Sequence, residues 1–304
     1  MFFIKNITFI IIFFSLFLDV NATITVLNYY RMGETDPGAV AGNLCNISTI
    51  DSVGGKNLKK GNNPSYSSGI AAPILGGTPS LLSIAFTGSP QDFFSLNSTI
   101  SDVTTNFVLE AFVKSFDTTS SARLVYNGSQ FTAVNGFGFM NINGVYKAAI
   151  GTGGNSLTTF GAASVTTDWV HLALVRDNTT ATFYVNGVAN ASSTVTPTTP
   201  TGSFLIGSTG RVSGIDEVRF STFSAGAFQT SDLLYQSVPE PYYTYIILSI
   251  GILLIFRDKR LSGLLKIFLG SLPLGKKFWG VLLKSRHCSK GFLKKRERNA
   301  VAPL

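Results

Sequence analysis

The stretch from residue 169 to the Asn186-Gly187 pair constrains the fold of this chain more than any other feature. In residues 169–176 the side chains alternate between two faces, which is the period of a β-strand. A second apolar run, 182–185, leads directly into Asn186-Gly187. This dipeptide favours a two-residue type I′ turn, because both central positions of that turn need positive φ. The segment therefore predicts an antiparallel hairpin.

The rest of the body repeats this pattern of short apolar runs between turn residues. Residues 23–233 are rich in Thr, Ser, Gly, Val and Phe, which is typical of an all-β sandwich. Further strands are expected at 107–114, 204–207 and 215–220. The body of about 216 residues is long enough for one large sandwich domain. The predicted fold class is therefore all-β, an antiparallel sandwich of two sheets.

Charge separates the body from the C-terminal tail. The chain has a formal net charge of +8, yet residues 23–238 hold 10 Lys and Arg against 12 Asp and Glu, a net of −2. Residues 261–304 hold 10 Lys and Arg against the single acid Glu297. The basic excess therefore gives no reason to expect nucleic-acid binding by the body, and no nucleic-acid partner is predicted.

Three elements follow one another before that tail: a proline-flanked acid, an uncharged apolar run and a basic group. They are Pro239, Glu240 and Pro241, then residues 242–256, then Arg257, Lys259 and Arg260. A 15-residue helix spans about 22 Å, short of the roughly 30 Å hydrocarbon core, but local thinning of the bilayer allows it to cross. The pattern predicts a transmembrane helix at 242–256 with the basic group on the cytoplasmic side. The alternative is a buried core helix or strand.

This order resembles the PEP-CTERM sorting signal of exported bacterial proteins, here assigned to residues 236–260. The resemblance implies a partner, a membrane protease of the exosortase type that cuts near Pro239, Glu240 and Pro241. It also implies a protein of the cell envelope or the extracellular space, membrane-anchored at least transiently. Members of that family usually end within a few residues of the basic group, whereas in this chain 44 residues follow Arg260.

The N-terminus indicates export independently. Lys5 precedes the apolar stretch 7–18, and Val20-Asn21-Ala22 offers a small-residue cleavage site. This pattern predicts a signal peptide at residues 1–22, with an uncleaved N-terminal anchor as the alternative. Cys45 then lies in the exported body and Cys288 beyond the membrane span, so no disulfide framework is expected.

The tail at residues 261–304 combines basic residues with a helical apolar stripe. Leucine and phenylalanine recur at i, i+3, i+4, i+7, i+8 and i+11 from Leu261. Such a helix is suited to the anionic inner leaflet of the membrane. The alternative is a read-through or frameshifted end without a selected role.

Several motifs together resemble the laminin G-like, concanavalin A-like jelly roll over residues 29–235. They are residues 86–89, 107–114, 167–177 with Trp169 and His171, 183–187 with Asn186 and Gly187, and 214–220 with Asp216 and Glu217. The chain has Thr87 where that family has Asp, and Phe112 where it has Trp. The resemblance implies one sandwich domain, 23–235, with residues 28–34 as its first strand. It also implies that this domain binds a carbohydrate or a surface partner without catalysis.

Catalytic residues are not expected. Glycoside hydrolysis needs two carboxyl groups across a cleft. Asp216 and Glu217 are adjacent, so on a regular strand they point to opposite faces, and one of them is expected to tie down a neighbouring strand. His171 is interpreted as a residue of a sheet face. The alternatives that stay open are a polysaccharide-active enzyme of this fold and a purely structural envelope protein.

Calcium is the one cofactor that the laminin G-like resemblance implies, since domains of that family often bind it at the rim of the sandwich. Ca²⁺ prefers oxygen ligands such as carboxylates and backbone carbonyls. The loop or strand-end candidates are Asp92, Asp117, Asp168 and Asp177, and the alternative is that they are solvated loop acids. The chain has Thr87 rather than an acid in the 86–89 motif, which removes one plausible ligand.

Overall fold

The computed structural model describes residues 24–71, 80–89, 91–116, 118–119, 121–129, 133–208 and 212–235. These residues form short β-strands connected by turns, with one turn of 3-10 helix at Thr230–Asp232. The strands are β1 (Thr25–Tyr30), β2 (Ser48–Thr49), β3 (Leu58–Gly61), β4 (Ser65–Ser67), β5 (Ser83–Ala85), β6 (Phe93–Leu96), β7 (Phe107–Ser115), β8 (Ala122–Gly128), β9 (Asn135–Ile142), β10 (Val145–Thr152), β11 (Leu157–Ser164), β12 (Val170–Asp177), β13 (Thr180–Val185), β14 (Val188–Ser193), β15 (Ser203–Ser208) and β16 (Val212–Thr222).

The strands form two antiparallel sheets of eight strands each, which confirms the predicted all-β sandwich. The first sheet has the order β14-β13-β12-β7-β16-β5-β4, and β1 also pairs with β16. The second has the order β11-β10-β9-β8-β15-β6-β3-β2. Strands distant in sequence are neighbours in both sheets, so the fold depends on long-range pairing.

The main core lies between the sheets and is built largely from aromatic side chains. Phe107 of the first sheet stacks on Phe137 of the second, with ring centroids 4.0 Å apart. Phe220 lies 6.0 Å from Phe137. All three are almost fully buried. Because rings of this size remove a large apolar area from water, they supply much of the free energy that holds the two sheets together.

Strand β12 shows the predicted alternation. Val170, Leu172 and Leu174 face the main core, whereas Ala173 and Val175 face a separate apolar cluster on the outer side of the first sheet. That outer cluster includes residues of the C-terminal segment 223–235, which covers this face. The central strands of the first sheet are thus buried on both sides.

The hairpin predicted at Asn186-Gly187 is confirmed. Asn186 has φ +49° and Gly187 has φ +73°, as a type I′ turn requires, and the turn joins β13 to β14. The first strand is shifted from its predicted position. It covers Thr25–Tyr30 rather than 28–34, because the chain turns at Met32 and Gly33, which both have positive φ.

The membrane-related predictions fall outside the described residues. These predictions are the signal peptide 1–22, the span 242–256 within the sorting signal 236–260, and the tail 261–304. Within the described residues, no helix has both the length and the apolar character needed to cross a bilayer.

Candidate functional site

A cleft of about 450 Å³ opens at the outer face of the first sheet, where β12 turns into β13. Its lining combines two aromatic rings, Tyr184 and Phe228, with polar side chains that include Asp177, Asn178 and Thr182. Both rings are half-buried, so each keeps part of its surface toward solvent. We call this cleft, together with its lining residues, the hairpin cleft.

Local structure fixes the two walls of the hairpin cleft. Asn178 has φ +52°, a conformation that asparagine adopts more readily than most residues, and it forms the tight turn after β12. The Oδ1 atom of Asp177 accepts a hydrogen bond of 2.8 Å from the Gly226 backbone N–H, which holds the loop that carries Phe228. The ring centroids of Tyr184 and Phe228 lie 5.9 Å apart.

The chemistry of the hairpin cleft suits a neutral polar ligand. Ligand sites commonly combine apolar rings with a few placed polar groups. Here the rings offer faces for C–H groups, and hydroxyl, amide and carboxylate groups offer donors and acceptors beside them. A sugar presents that same combination of C–H faces and hydroxyls.

A buried polar cluster, Glu110, His171 and Arg219, lies on the same outer face. We call it the Glu110 cluster. Oε1 of Glu110 accepts a hydrogen bond of 2.7 Å from Arg219 Nε, and Oε2 lies 2.9 Å from His171 Nε2. Oε2 also accepts a bond of 2.8 Å from the Leu234 backbone N–H. Arg219 Nη2 also donates to Oε1, so each carboxylate oxygen takes part in two hydrogen bonds, which is what a buried charge requires.

Electrostatics keep Glu110 ionised although its side chain is fully buried. Burial by itself would raise its pKa, but the charge of Arg219 and the hydrogen bond from His171 outweigh that effect and hold the pKa below its ordinary 4.5. Because an ionised carboxylate can only accept hydrogen bonds, His171 carries a proton on Nε2 and donates it to Oε2 of Glu110. The cluster is built to attach the C-terminal segment to the sheet.

The predicted motif residues His171, Asn186 and Gly187 meet at this attachment. Asn186 Oδ1 accepts a hydrogen bond of 2.9 Å from the His171 backbone N–H, and Tyr235 stacks on the His171 ring at 5.7 Å. A Cβ atom at Gly187 would lie 3.1 Å from Tyr235. His171 is a residue of the sheet face, as expected, and its ring is fully buried. Trp169 precedes β12 and is half-buried outside the main core, where it packs against the cluster of Ala71, Phe112 and Leu234.

The expectation that Asp216 and Glu217 point to opposite faces is wrong. Strand β16 has a β-bulge between Asp216 and Arg219, and Glu217 is its extra residue, with φ +50°. The bulge lies at the point where β5 stops pairing with β16 and β1 starts. Glu34 reaches the same point, and carboxylate oxygens of Glu34, Asp216 and Glu217 lie within 4.8 Å of one another. We call this group the three-acid cluster.

The three-acid cluster has few partners for its charge. Glu217 Oε1 accepts a hydrogen bond of 3.0 Å from Arg31 Nη2. Glu34 Oε1 accepts bonds from the backbone N–H groups of Leu81, at 2.6 Å, and Leu82, at 2.8 Å. Burial, together with the charge of Glu217, raises the pKa of Asp216 to about 8. Burial also raises the pKa of Glu217, against the lowering effect of Tyr29 and Arg31. Glu34, Asp216 and Glu217 are the residues that this part of the chain offers for a metal ion.

Of the four aspartates suggested for calcium, the three that the structure describes do not form one group. Asp92 is buried and accepts hydrogen bonds from both the backbone N–H and the hydroxyl of Thr87. Asp168 is exposed just before β12, and Asp177 ends that strand, so the length of β12, roughly 24 Å, separates them. Asp117 lies outside the described residues.

The sorting-signal residues also lie outside the described part of the chain. They are Pro239, Glu240, Pro241, Arg257, Lys259 and Arg260.

Sequence reasoning missed the residues that complete these sites: Glu34, Glu110, Arg219, Tyr184 and Phe228. Glu110 carried a usable signal, since it is a lone acid inside an apolar strand and a buried acid needs a partner. Arg219 sits in the resemblance motif beside the two acids. Nothing local marks Glu34 or Phe228, because their neighbours in the fold are far away in sequence.

Comparison with known families supports the laminin G-like part of the chain. A profile described as the concanavalin A-like lectin/glucanases superfamily matches residues 87–225. The described residues thus form a concanavalin A-like sandwich, the class of jelly roll that the motifs resemble. A comparison with curated proteins gave no match.

Several solved structures have a similar architecture. Domain 4 of AbnA, a GH43 extracellular arabinanase from Geobacillus stearothermophilus solved with arabinotriose, is 18% identical with a TM-score of 0.47, over 70% of this chain and 99% of that one. The receptor-binding domain of botulinum neurotoxin D is 10% identical with a TM-score of 0.45, over 68% of this chain and 51% of that one. The type G domain is 11% identical with a TM-score of 0.45, over 69% and 50%. This chain spans about half of the neurotoxin domains, and these likenesses carry no functional argument.

Proposed function

We propose that this chain is an exported envelope protein whose sandwich domain binds carbohydrate without catalysis. The observation that carries the proposal is the hairpin cleft, about 450 Å³ with two half-exposed aromatic rings beside hydroxyl, amide and carboxylate groups. A neutral saccharide fits this lining better than a charged ligand does, because Asp177 is the single ionisable residue of the lining besides Tyr184.

The placement of the acids favours binding over hydrolysis. Glycosidases place two carboxyl groups on either side of the scissile bond. The hairpin cleft has one carboxylate, Asp177, and its Oδ1 is engaged by Gly226. Glu110, Asp216 and Glu217 are fully buried, and they hold backbone or cationic groups of the protein itself.

The binding test compares ring variants of the full-length chain, purified in a mild detergent. Affinity electrophoresis through a panel of neutral polysaccharides identifies a ligand, and calorimetry gives its Kd. Tyr184→Ala is expected to weaken binding about tenfold, equivalent to about 1.4 kcal/mol. Phe116→Ala is the matched control, since Phe116 is an exposed aromatic residue outside the cleft, and its Kd should equal that of the parent.

Two results would overturn this proposal. Absence of saturable binding to any polysaccharide would favour the structural envelope protein. Release of sugar fragments by the parent, lost in Asp177→Asn, would favour the polysaccharide-active enzyme.

Export and sorting form the second part of the proposal. The C-terminal signal, residues 236–260, would bring the chain to an exosortase-type protease and anchor it in the membrane through 242–256. Mass spectrometry of both ends of the mature protein from its native host tests this. A C-terminus near Pro239 and an N-terminus near Thr23 would support sorting, and a C-terminus at Leu304 would make the protein permanently anchored.

A further inference from the structure

The hydroxyl of Ser80 lies among more acceptor oxygens than it can serve. Ser80 Oγ is 2.7 Å from Glu34 Oε1, 2.8 Å from the Leu82 carbonyl oxygen, and 3.2 and 3.1 Å from the two carboxylate oxygens of Asp216. A serine hydroxyl has one proton. It can therefore donate to only one of these oxygens at a time.

Two further oxygens of the cluster accept no hydrogen bond at all from the described residues. They are Oε2 of Glu34 and Oε2 of Glu217, and both atoms are buried. The side chain of Glu217 is completely shielded from solvent, and carboxylate oxygens of all three acids converge within 4.8 Å. A buried acceptor without a partner is costly, so this arrangement indicates that another positive group belongs here.

The charge of the three-acid cluster indicates what that group is. Three ionised carboxylates carry a charge of −3, and Arg31, which contacts Glu217, contributes a charge of +1. The remaining −2 is the charge that one divalent cation neutralises.

The donor set selects a hard cation. Every candidate ligand atom is oxygen: carboxylate, hydroxyl or the Leu82 carbonyl. Ca²⁺ bonds oxygen at about 2.3–2.6 Å, so it can bridge oxygens about 5 Å apart, whereas Mg²⁺ at about 2.0–2.1 Å reaches only about 4 Å. We propose that Glu34, Asp216 and Glu217 bind one Ca²⁺ ion where the turn after β1, the bulge of β16 and the segment before β5 meet.

This site is separate from the four aspartates suggested by the sequence and from the hairpin cleft. It joins three pieces of chain that no backbone ladder holds together at that point, since β5 pairs with β16 only at Gly214 and Ile215 and β1 only from Val218 onward. The ion would stabilise the sandwich, and its binding does not depend on carbohydrate recognition.

The first experiment uses the full-length chain in detergent, stripped with EDTA. Calorimetry should show one Ca²⁺ per chain, with Mg²⁺ weaker by tenfold or more. At calcium 100-fold above Kd, the melting temperature should rise by about 5 °C or more. No calorimetric binding by the parent chain would overturn the proposal, whatever any variant does.

Variants then locate the ion. Glu217→Gln and Glu34→Gln each remove one ligand charge and should abolish the calcium shift or reduce it by most of its size. Asp168→Asn, an exposed acid near Trp169, should keep the full shift. Circular dichroism verifies that each variant is folded. Because Glu34 is only half-buried, its glutamine variant decides the matter if Glu217→Gln does not fold, and a full shift in Glu34→Gln would overturn the assignment.

Discussion

The Glu110 cluster and the three-acid cluster place buried carboxylates around the same strand, β16, in two different ways. In the first, one acid is shared by Arg219, His171 and the Leu234 N–H. In the second, three acids share Arg31, the hydroxyls of Ser80 and Tyr29, and a few backbone N–H groups.

The comparison teaches that burial alone does not reveal the role of an acid. A carboxylate whose every oxygen is paired holds the structure together, and removing it leaves its partners uncompensated. A group of carboxylates that lacks partners stores repulsion, which a cation can relieve. The two clusters should therefore respond in opposite ways to the same chemical change.

The largest effect is expected for Glu110→Gln. The change leaves Arg219 and His171 beside a neutral amide, and loss of one member of a buried pair typically costs about 3–5 kcal/mol. Urea unfolding of the full-length chain measures the free energy. Asp168→Asn, at an exposed position, is the control and should change it by less than about 0.5 kcal/mol. A loss below 1 kcal/mol for Glu110→Gln would contradict the role assigned to this cluster.

Lowering the pH should destabilise the protein in part by protonating Glu110. Its pKa is lower in the folded protein than its ordinary 4.5, because Arg219 and His171 outweigh burial. The stability that this difference provides is fully present above about pH 4.5 and is lost as the pH falls through the lower folded pKa. Melting temperatures measured from pH 6 to pH 3 should fall more steeply in the parent than in Glu110→Gln. Parallel curves would show that other acids dominate.

Removal of the Ser80 hydroxyl should lower the free energy of unfolding by a moderate amount. Ser80→Ala removes the hydroxyl that Glu34 and Asp216 share, and we expect a loss of about 1–2 kcal/mol in EDTA. Ser83→Ala is the matched control, since Ser83 Oγ donates to one acceptor, the Gly69 carbonyl, and should cost about 1 kcal/mol. If Ser80→Ala cost more than 3 kcal/mol in denaturant unfolding, the hydroxyl would be the main neutralising group.

The smallest effect is expected for Glu217→Gln in EDTA. The variant loses its ion pair with the half-exposed Arg31, but it also loses repulsion from Asp216, so the change should stay within about 1 kcal/mol of the parent. With calcium present the parent should become the more stable of the two. A loss above 2 kcal/mol in EDTA would mean that Glu217 resembles Glu110 in being fully paired.

Local patterns were enough to predict much of the fold. The alternation in 169–176 and the Asn186-Gly187 turn both occur in the structure as predicted, because each depends on residues close in sequence. The strand over 107–114 was predicted to within one residue of β7, Phe107–Ser115. The first strand was misplaced, since the positive φ of Met32, a residue that rarely adopts it, gave no local sign of a turn.

The candidate sites were much less predictable. Adjacent acids on a regular strand diverge, and only the bulge at Glu217 makes them converge. The bulge occurs where β5 and β1 follow each other along one edge of β16, an arrangement of strands more than 130 residues from it in sequence. The hairpin cleft likewise depends on the packing of Phe228 against Tyr184.

The sequence by itself determined the all-β class, the hairpin and the faces of β12, because side-chain period and turn conformation are local properties of the backbone. Only the tertiary structure decided that Glu110 is paired and that Glu34, Asp216 and Glu217 converge. The energy of a buried charge depends on which groups surround it in space, and the sheet brings those groups from distant parts of the chain.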